Sequence, residues 1–224
     1  MTAFRLLIPR LFTIAALAVG FMVLTVIVAL GWLNTPDHEV QQFFATTWRE
    51  PLHPLFQGIA ELGGLELTTL VMTLITVFLI RRGFPGDGWV LLAFIAAQVF
   101  EVFYKYALYH PSPSDSIAHR DGPSVTDFFT AGTALQHNSF PSGHVVRAVI
   151  VYGLLAFVIR RLAPWPWVRA LVLPAAVVVI VVLAFDRLYL SVHWESDVIG
   201  GIVLGAIGLV AATVWLDRPQ ATDN

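Results

Sequence analysis

Asp186-Arg187-Leu188-Tyr189-Leu190-Ser191-Val192-His193-Trp194-Glu195-Ser196-Asp197 stands between two apolar runs, 166–185 and 198–216. Each run approaches the roughly 20 apolar residues that carry a helix across a bilayer, so the quoted stretch reads as a polar connection between two membrane helices. Charged groups at membrane depth are costly and mark functional sites. Here His193 and Asp197 lie four apart and Arg187 lies six before the histidine. Asp197 can meet His193 on one helical face or across a loop-to-helix entry. There it can accept a hydrogen bond from one imidazole nitrogen and leave the other free to attack.

The rest of the chain supports the membrane reading. Of 224 residues, 57% are hydrophobic and 12% charged, with a mean hydropathy of +0.75, whereas soluble domains carry about a quarter charged residues. Six stretches reach or approach span length: 11–33, 65–80, 88–109, 143–159, 166–185 and 198–216. The expected fold is an all-α membrane protein, a six-transmembrane-helix bundle forming one domain over 1–224. A net charge of −2 with scattered basic residues gives no patch for nucleic acid. The absence of cysteine excludes disulfides, thiolate metal sites and a cysteine nucleophile. No sequence signal bears on oligomeric state.

Arg5 and Arg10 precede the first apolar run in the manner of a secretory signal. The run is longer than the usual h-region of about 7–15 residues and lacks a clear small-x-small cleavage site, which reads as a retained helix. On the six-span reading, Arg5, Arg10, Arg81, Arg82, Arg160, Arg161, Arg169 and Arg218 fall on one side, and Arg49, Lys105, Arg120, Arg147 and Arg187 on the other. Short cytoplasmic loops collect Lys and Arg. Both termini are therefore expected in the cytoplasm, and the motif-bearing loops on the outer face of the cytoplasmic (inner) membrane.

After the first helix, 34–64 forms an outer-face amphipathic segment with Val40, Phe43, Phe44 and Trp48 at helical spacing. It fits a helix on the membrane surface or a lid packed on the bundle. A long outer loop, 110–140, is rich in Ser, Pro, Asp, Thr and His, and loops of that length are usually functional or disordered. Gly201 and Gly205 make a small-xxx-small pair that lets helices approach closely.

Two further segments carry chemistry. Lys105 ends the third span, with Glu101 one turn earlier; alone, this reads equally as a snorkelling lysine paired at i,i+4. Pro141-Ser142-Gly143-His144 opens the fourth helix. There, unpaired N–H groups and the positive dipole end favour an anion, Gly143 permits close approach, and Ser142 adds a hydroxyl donor. Alone it would read as a Ser-type cap.

With Lys105 and Pro113, then Pro141-Ser142-Gly143-His144, then Arg187, His193 and Asp197, the chain resembles the type 2 phosphatidic acid phosphatase superfamily, whose pattern is K-x6-RP, PSGH and SR-x5-H-x3-D. The resemblance covers the six-helix core, about 50–216, as well as the motifs. It implies that His193 is the nucleophile that forms a phosphohistidine, that Asp197 orients it, and that His144 is the general acid that later activates water. Lys105, Ser142, the Gly143 N–H and Arg187 would hold the phosphoryl oxygens. No metal and no cofactor are implied.

The pattern departs at two positions: Ser112 stands where the family has Arg, and Asp186 where it has Ser. Arg147, three residues after His144, is expected either to supply the missing phosphate contact or to pair with Asp186, with Arg120 as the other candidate and an outward snorkelling arginine as the plain reading. His38, His53, His110, His119 and His137 read as solvated loop residues without metal-type spacing. The implied function is an integral membrane phosphatase acting on a lipid phosphate or diphosphate of undecaprenyl diphosphate, phosphatidylglycerophosphate or phosphatidic acid type. The alternatives are lipid phosphotransfer at the same site, or a non-catalytic lipid-phosphate binding or transport protein.

Overall fold

The structure, a computed structural model, describes residues 2–113, 118–119 and 138–217, with side chains from residue 7 onward. Among the described residues every regular element is helical: α1 (Thr2–Ala29), α2 (Asn34–Thr47), α3 (His53–Glu61), α4 (Leu65–Arg81), α5 (Val90–Ala107), α6 (Gly143–Leu162), α7 (Pro166–Tyr189) and α8 (Glu195–Leu216). Proline opens α7 at a position where no intrahelical N–H is lost. Gly83, at φ +85°, supplies the left-handed turn after α4 that a side chain would strain. Basic residues close α4 (Arg81), α5 (Lys105), α6 (Arg160, Arg161) and α7 (Arg187), where the helix dipole favours a cation.

Five helical stretches are long and apolar enough to cross a membrane: Leu7–Ala29, Glu50–Arg81, Pro85–Ala107, Pro166–Tyr189 and Glu195–Leu216. The expected span at 65–80 is thus extended upstream by α3 and the turn before it. The expected span at 143–159 is helical, as α6, but is not among the five. It is the enclosed helix of the bundle, packed by α4, α5, α7 and α8, with Val145, Val146, Ile150, Val151 and Leu154 completely buried. Its neighbours instead leave large apolar side chains exposed, Leu70, Val99, Trp167 and Val178 among them. That is the surface expected of helices facing lipid.

Lipid is as apolar as leucine, so association inside a bilayer depends on close packing rather than on the hydrophobic effect. The α6–α8 seam shows how this is met. A Cβ on Gly201 would come within 2.7 Å of the Ser142 carbonyl, and one on Gly205 within 2.7 Å of the Val149 Cβ. The small-xxx-small pair therefore lets α8 lie directly against α6, beneath the Pro141–His144 segment.

The two ends of the bundle differ. At one end Arg161 joins Asp87 (3.2 Å) and the Leu216 carbonyl (3.0 Å), and Arg10 joins Asp217 (2.6 Å). At the other end the C-termini of α5 and α7 meet the N-termini of α6 and α8. Over that second end lies α2, packed against α7 and α8. Its buried face is Asp37, Gln41 and Phe44, while Phe43 is 61% exposed. Of the expected apolar residues Val40, Phe43, Phe44 and Trp48, Phe44 joins Asp37 and Gln41 on the buried face and Phe43 turns outward, so α2 is seated on the bundle partly through a polar stripe, with Asp37 partnered there.

Candidate active site

The three sequence segments are tied together by backbone. The Asn138 side chain donates to the Lys105 carbonyl (2.8 Å), and the Ser139 N–H donates to the His110 carbonyl (2.9 Å), which joins the end of α5 to the segment that enters α6. The Ser142 N–H donates to the Asp197 carbonyl (3.0 Å), which joins that segment to the start of α8. The Trp194 indole donates to the Pro111 carbonyl (2.7 Å) and closes the triangle. Lys105, Ser142, Gly143, His144, Arg187, His193 and Asp197 are thereby brought to one end of the bundle. His144 lies within electrostatic reach of Arg187, Arg147, His193 and Lys105.

After Tyr189 the chain leaves α7 through Ser191, at φ +53°. A left-handed residue past a helix end redirects the chain, and it does so here just before His193. Asp197, in the first turn of α8, reaches back to the Trp194 N–H through Oδ2 (2.9 Å), the carboxylate half of a capping box. The same oxygen sits 3.2 Å from His193 Nδ1. A carboxylate only accepts, so Nδ1 carries the proton and Nε2 keeps its lone pair. Burial holds His193 below the usual histidine range, with the Asp197 hydrogen bond working against it; at neutral pH the ring is therefore uncharged, with the Nε2 lone pair free.

Gly143 begins α6 against Glu101. A Cβ there would lie 2.0 Å from Glu101 Oε1, so no other residue fits without displacing the carboxylate. Glu101 in turn holds Lys105 Nζ (3.1 Å) and an Arg147 nitrogen (3.3 Å). The i,i+4 pairing of Lys105 with Glu101 is thus formed, and it places the ammonium beside the α6 N-terminus. The Ser142 hydroxyl is buried and has no hydrogen-bond partner among the described residues. A donor in that state at a helix N-terminus suits an anionic oxygen.

At the two departures from the expected pattern, one of the two partners expected for Arg147 is not found. Asp186 accepts from Arg187, through Nε (2.8 Å) and a terminal nitrogen (2.5 Å), so the pairing of Asp186 with Arg147 does not form. Asp186 and Arg187 are adjacent on α7, and their pairing runs through Asp186 Oδ2. Arg147 instead donates to the Gly63 carbonyl (2.9 Å), Gln98 (3.1 Å) and Glu101 (3.3 Å), with a terminal nitrogen 3.4 Å from His144 Nδ1. It points into the protein, not outward. Arg120, the other candidate replacement, and His137 lie outside the described residues.

The largest omission from the sequence reading is His110. It is 7% exposed, not solvated, and its Nε2 lies 3.3 Å from Asp197 Oδ1. Its position just after Lys105, inside the spacing of the first motif, was the available signal. His38 packs beside Trp194 and His119 stacks on Trp48 at 3.4 Å between ring centroids. Among the described residues no group of three His, Asp or Glu side chains is placed to hold a metal ion.

Residues 87–221 match the family model of the PAP2 superfamily. Over 70 residues, 31% of this chain and 34% of the relative, the chain is 39% identical to phosphatidylglycerophosphatase B of Bacillus subtilis strain 168. Over 148 residues, 64% of this chain and 66% of the relative, it is 30% identical to an Escherichia coli K12 protein provisionally named undecaprenyl-diphosphatase YbjG. The matched part spans about a third of the first relative's length and just under two thirds of the second's. A crystal structure of a transmembrane PAP2-type phosphatidylglycerolphosphate phosphatase from Bacillus subtilis superposes with a TM-score of 0.75, covering 89% of this chain and 94% of that one at 23% identity. At that identity the likeness shows a shared fold.

Proposed function

The chain belongs to the PAP2 superfamily, and from that membership and the assembled site we propose that it is an integral membrane phosphatase that hydrolyses a lipid phosphate or diphosphate through a phosphohistidine. The observation that carries this reading is the convergence of His193, oriented by Asp197, with the unpartnered Ser142 hydroxyl, the α6 N-terminus and the cations Lys105 and Arg187. Each element suits one part of phosphoryl transfer, in which catalysis is mostly positioning and charge stabilisation.

In the first step His193 Nε2 attacks phosphorus and the bond to the leaving oxygen breaks, that oxygen taking a proton from His144. In the second step water attacks the phosphohistidine, giving a proton to His144. The P–N bond breaks and inorganic phosphate leaves. Lys105, Ser142, the Gly143 N–H and Arg187 hold the phosphoryl oxygens. The substrate is a membrane lipid because the site sits at helix ends, where a head group reaches while its chains remain among exposed apolar side chains such as Phe103 and Phe185. The names of the relatives bring phosphatidylglycerophosphate and undecaprenyl diphosphate forward as candidates, beside phosphatidic acid. Phosphate release by the purified protein from a panel of these three tests the reading and selects among them; no release from any would overturn it.

In this reading α6 is a sixth span, enclosed by α4, α5, α7 and α8, and the site faces outward. The support is the placement of Arg10, Arg81, Arg82, Arg160, Arg161 and Arg169 at the end away from the site. The chain has no cysteine, so a single introduced thiol reports topology cleanly. Tyr109, beside the first motif and 84% exposed, is the position: Tyr109→Cys should react with an impermeant maleimide in intact cells. Labelling only after lysis would place the site on the inner leaflet.

Arg147 serves the site through others. With its guanidinium engaged by Gly63, Gln98 and Glu101, it positions Glu101 and the His144 ring rather than the phosphoryl group. Arg147→Ala is expected to lower kcat/KM by about tenfold, roughly 1.4 kcal/mol, and Ser112→Arg is expected not to restore it. Recovery in the double variant would show instead that a guanidinium on the phosphoryl group is what was lost.

A further inference from the structure

Beyond the motif residues, the site contains a buried polar chain running from α2 to the nucleophile. The Ser196 N–H donates to Asp37 Oδ1 (2.9 Å) and the Ser196 hydroxyl donates to Asp37 Oδ2 (2.8 Å). The Ser196 oxygen also lies 3.5 Å from His110 Nε2, which in turn is 3.3 Å from Asp197 Oδ1. A hydroxyl has one proton. Ser196 spends it on Asp37, so its oxygen meets His110 as an acceptor, and Nε2 therefore lies between two acceptors and must carry a proton.

Asp197 is used unevenly. Its Oδ2 takes the Trp194 N–H and His193 Nδ1, whereas Oδ1, fully buried, has no hydrogen bond of ordinary geometry among the described residues and faces His110 Nε2. Leaving a buried carboxylate oxygen unmatched is expensive, and active-site hydrogen bonds are often long before substrate binds. His110 is itself held firmly. Its N–H donates to Asn138 Oδ1 (3.2 Å), and its carbonyl accepts from the Ser139 N–H (2.9 Å) and hydroxyl (3.2 Å).

We propose that His110 is a positioning residue for the nucleophile: its Nε2–H donates to Asp197 Oδ1, with Ser196 and Asp37 directing that proton, so that Asp197 presents Oδ2 to His193 in one fixed orientation. The inference rests on His193 being the nucleophile. It makes α2, which lies outside the matched family region, a supporting part of the catalytic end.

The charges facing His193 are Asp197 on α8, Lys105 and Glu101 on α5, Arg187 on α7 and the His144 ring on α6. Those facing His110 are Asp197 and Asp37. Removing the His110 donor leaves the Asp197 charge less compensated and so more strongly felt by His193, and of the groups facing His193 only Asp197 is affected. His193 then protonates more readily, so the acid limb of kcat/KM moves to higher pH.

The test is imidazole NMR of 15N-histidine-labelled protein in detergent, with turnover measured in parallel. In the wild type, His110 should be protonated on Nε2 at neutral pH. In His110→Phe, the His193 midpoint and the acid limb should both rise by roughly half a pH unit, with kcat about tenfold lower and KM within about twofold. His110→Gln, which retains a donor, should restore both. An unprotonated His110 Nε2, or a His193 midpoint identical in all three proteins, overturns the proposal. Should His110→Phe fail to fold, the wild-type protonation state decides alone. Lack of lipid phosphatase activity in the wild type would remove the functional reading while leaving the NMR result to judge the hydrogen bond.

Discussion

His193→Ala is expected to reduce phosphate release by at least about 10³-fold, and to leave no acid-labile phosphoenzyme on brief exposure to substrate. The magnitude follows from what would remain. Lys105, Arg187, Ser142 and the α6 N-terminus could still bind the phosphoryl group, but water would have to attack it without covalent help. Among the described residues a second candidate nucleophile is the Ser142 hydroxyl, which has no hydrogen-bond partner there and hence no base to activate it. The two are chemically distinct, because phosphohistidine is lost in acid and phosphoserine is not. Rapid quench with labelled substrate should therefore yield an acid-labile adduct in the wild type and none in His193→Ala. A folded variant that keeps substantial turnover, or a wild-type adduct that survives acid, would move the nucleophile elsewhere.

How much of this was legible in the sequence depends on the range of the contacts. Asp197 sees His193 across four residues, and Glu101 sees Lys105 across four, so both pairs could be read from spacing. The apolar runs became helices where composition required it. His110 and Asp37 could not be read in this way. His110 sits among Leu108, Tyr109, Pro111 and Ser112, a stretch that looks like surface loop, and its burial comes from partners 28 and 29 residues away and from Ser196 and Asp197 further on. Asp37 lies 159 residues from Ser196. Nothing in the local pattern of α2 marks its polar stripe, rather than its apolar residues alone, as a face that packs on the bundle.

Arg147 meets the same limit of range. From sequence it had to have a partner at that depth, and two were conceivable. The structure adds Gly63, Gln98 and Glu101, none within reach of a local pattern. Asp186 accepts from Arg187 through Oδ2, which gives a carboxylate a cationic partner where the family carries a serine. Polar residues in a membrane bundle announce that they need partners. Which partner each finds is decided by tertiary packing.

His144→Ala should show the complementary loss, about 10²- to 10⁴-fold in kcat on a lipid phosphate, with the phosphohistidine retained. His144 is the second residue of α6, packed so closely on Gly63 that a Cβ there would come within 3.1 Å of the His144 Cβ. Arg147 lies against its Nδ1, which leaves Nε2 as the nitrogen for exchanging protons with substrate. A lipid alkoxide leaves poorly without a proton, whereas an aryl phosphate releases a phenolate that needs none. In His144→Ala the first step should therefore be nearly spared with the aryl substrate. The second, in which water must be activated, should slow, so phosphohistidine accumulates after a burst of phenol. Equal losses on both substrates without accumulation would show that His144 holds the phosphoryl group instead of moving its proton.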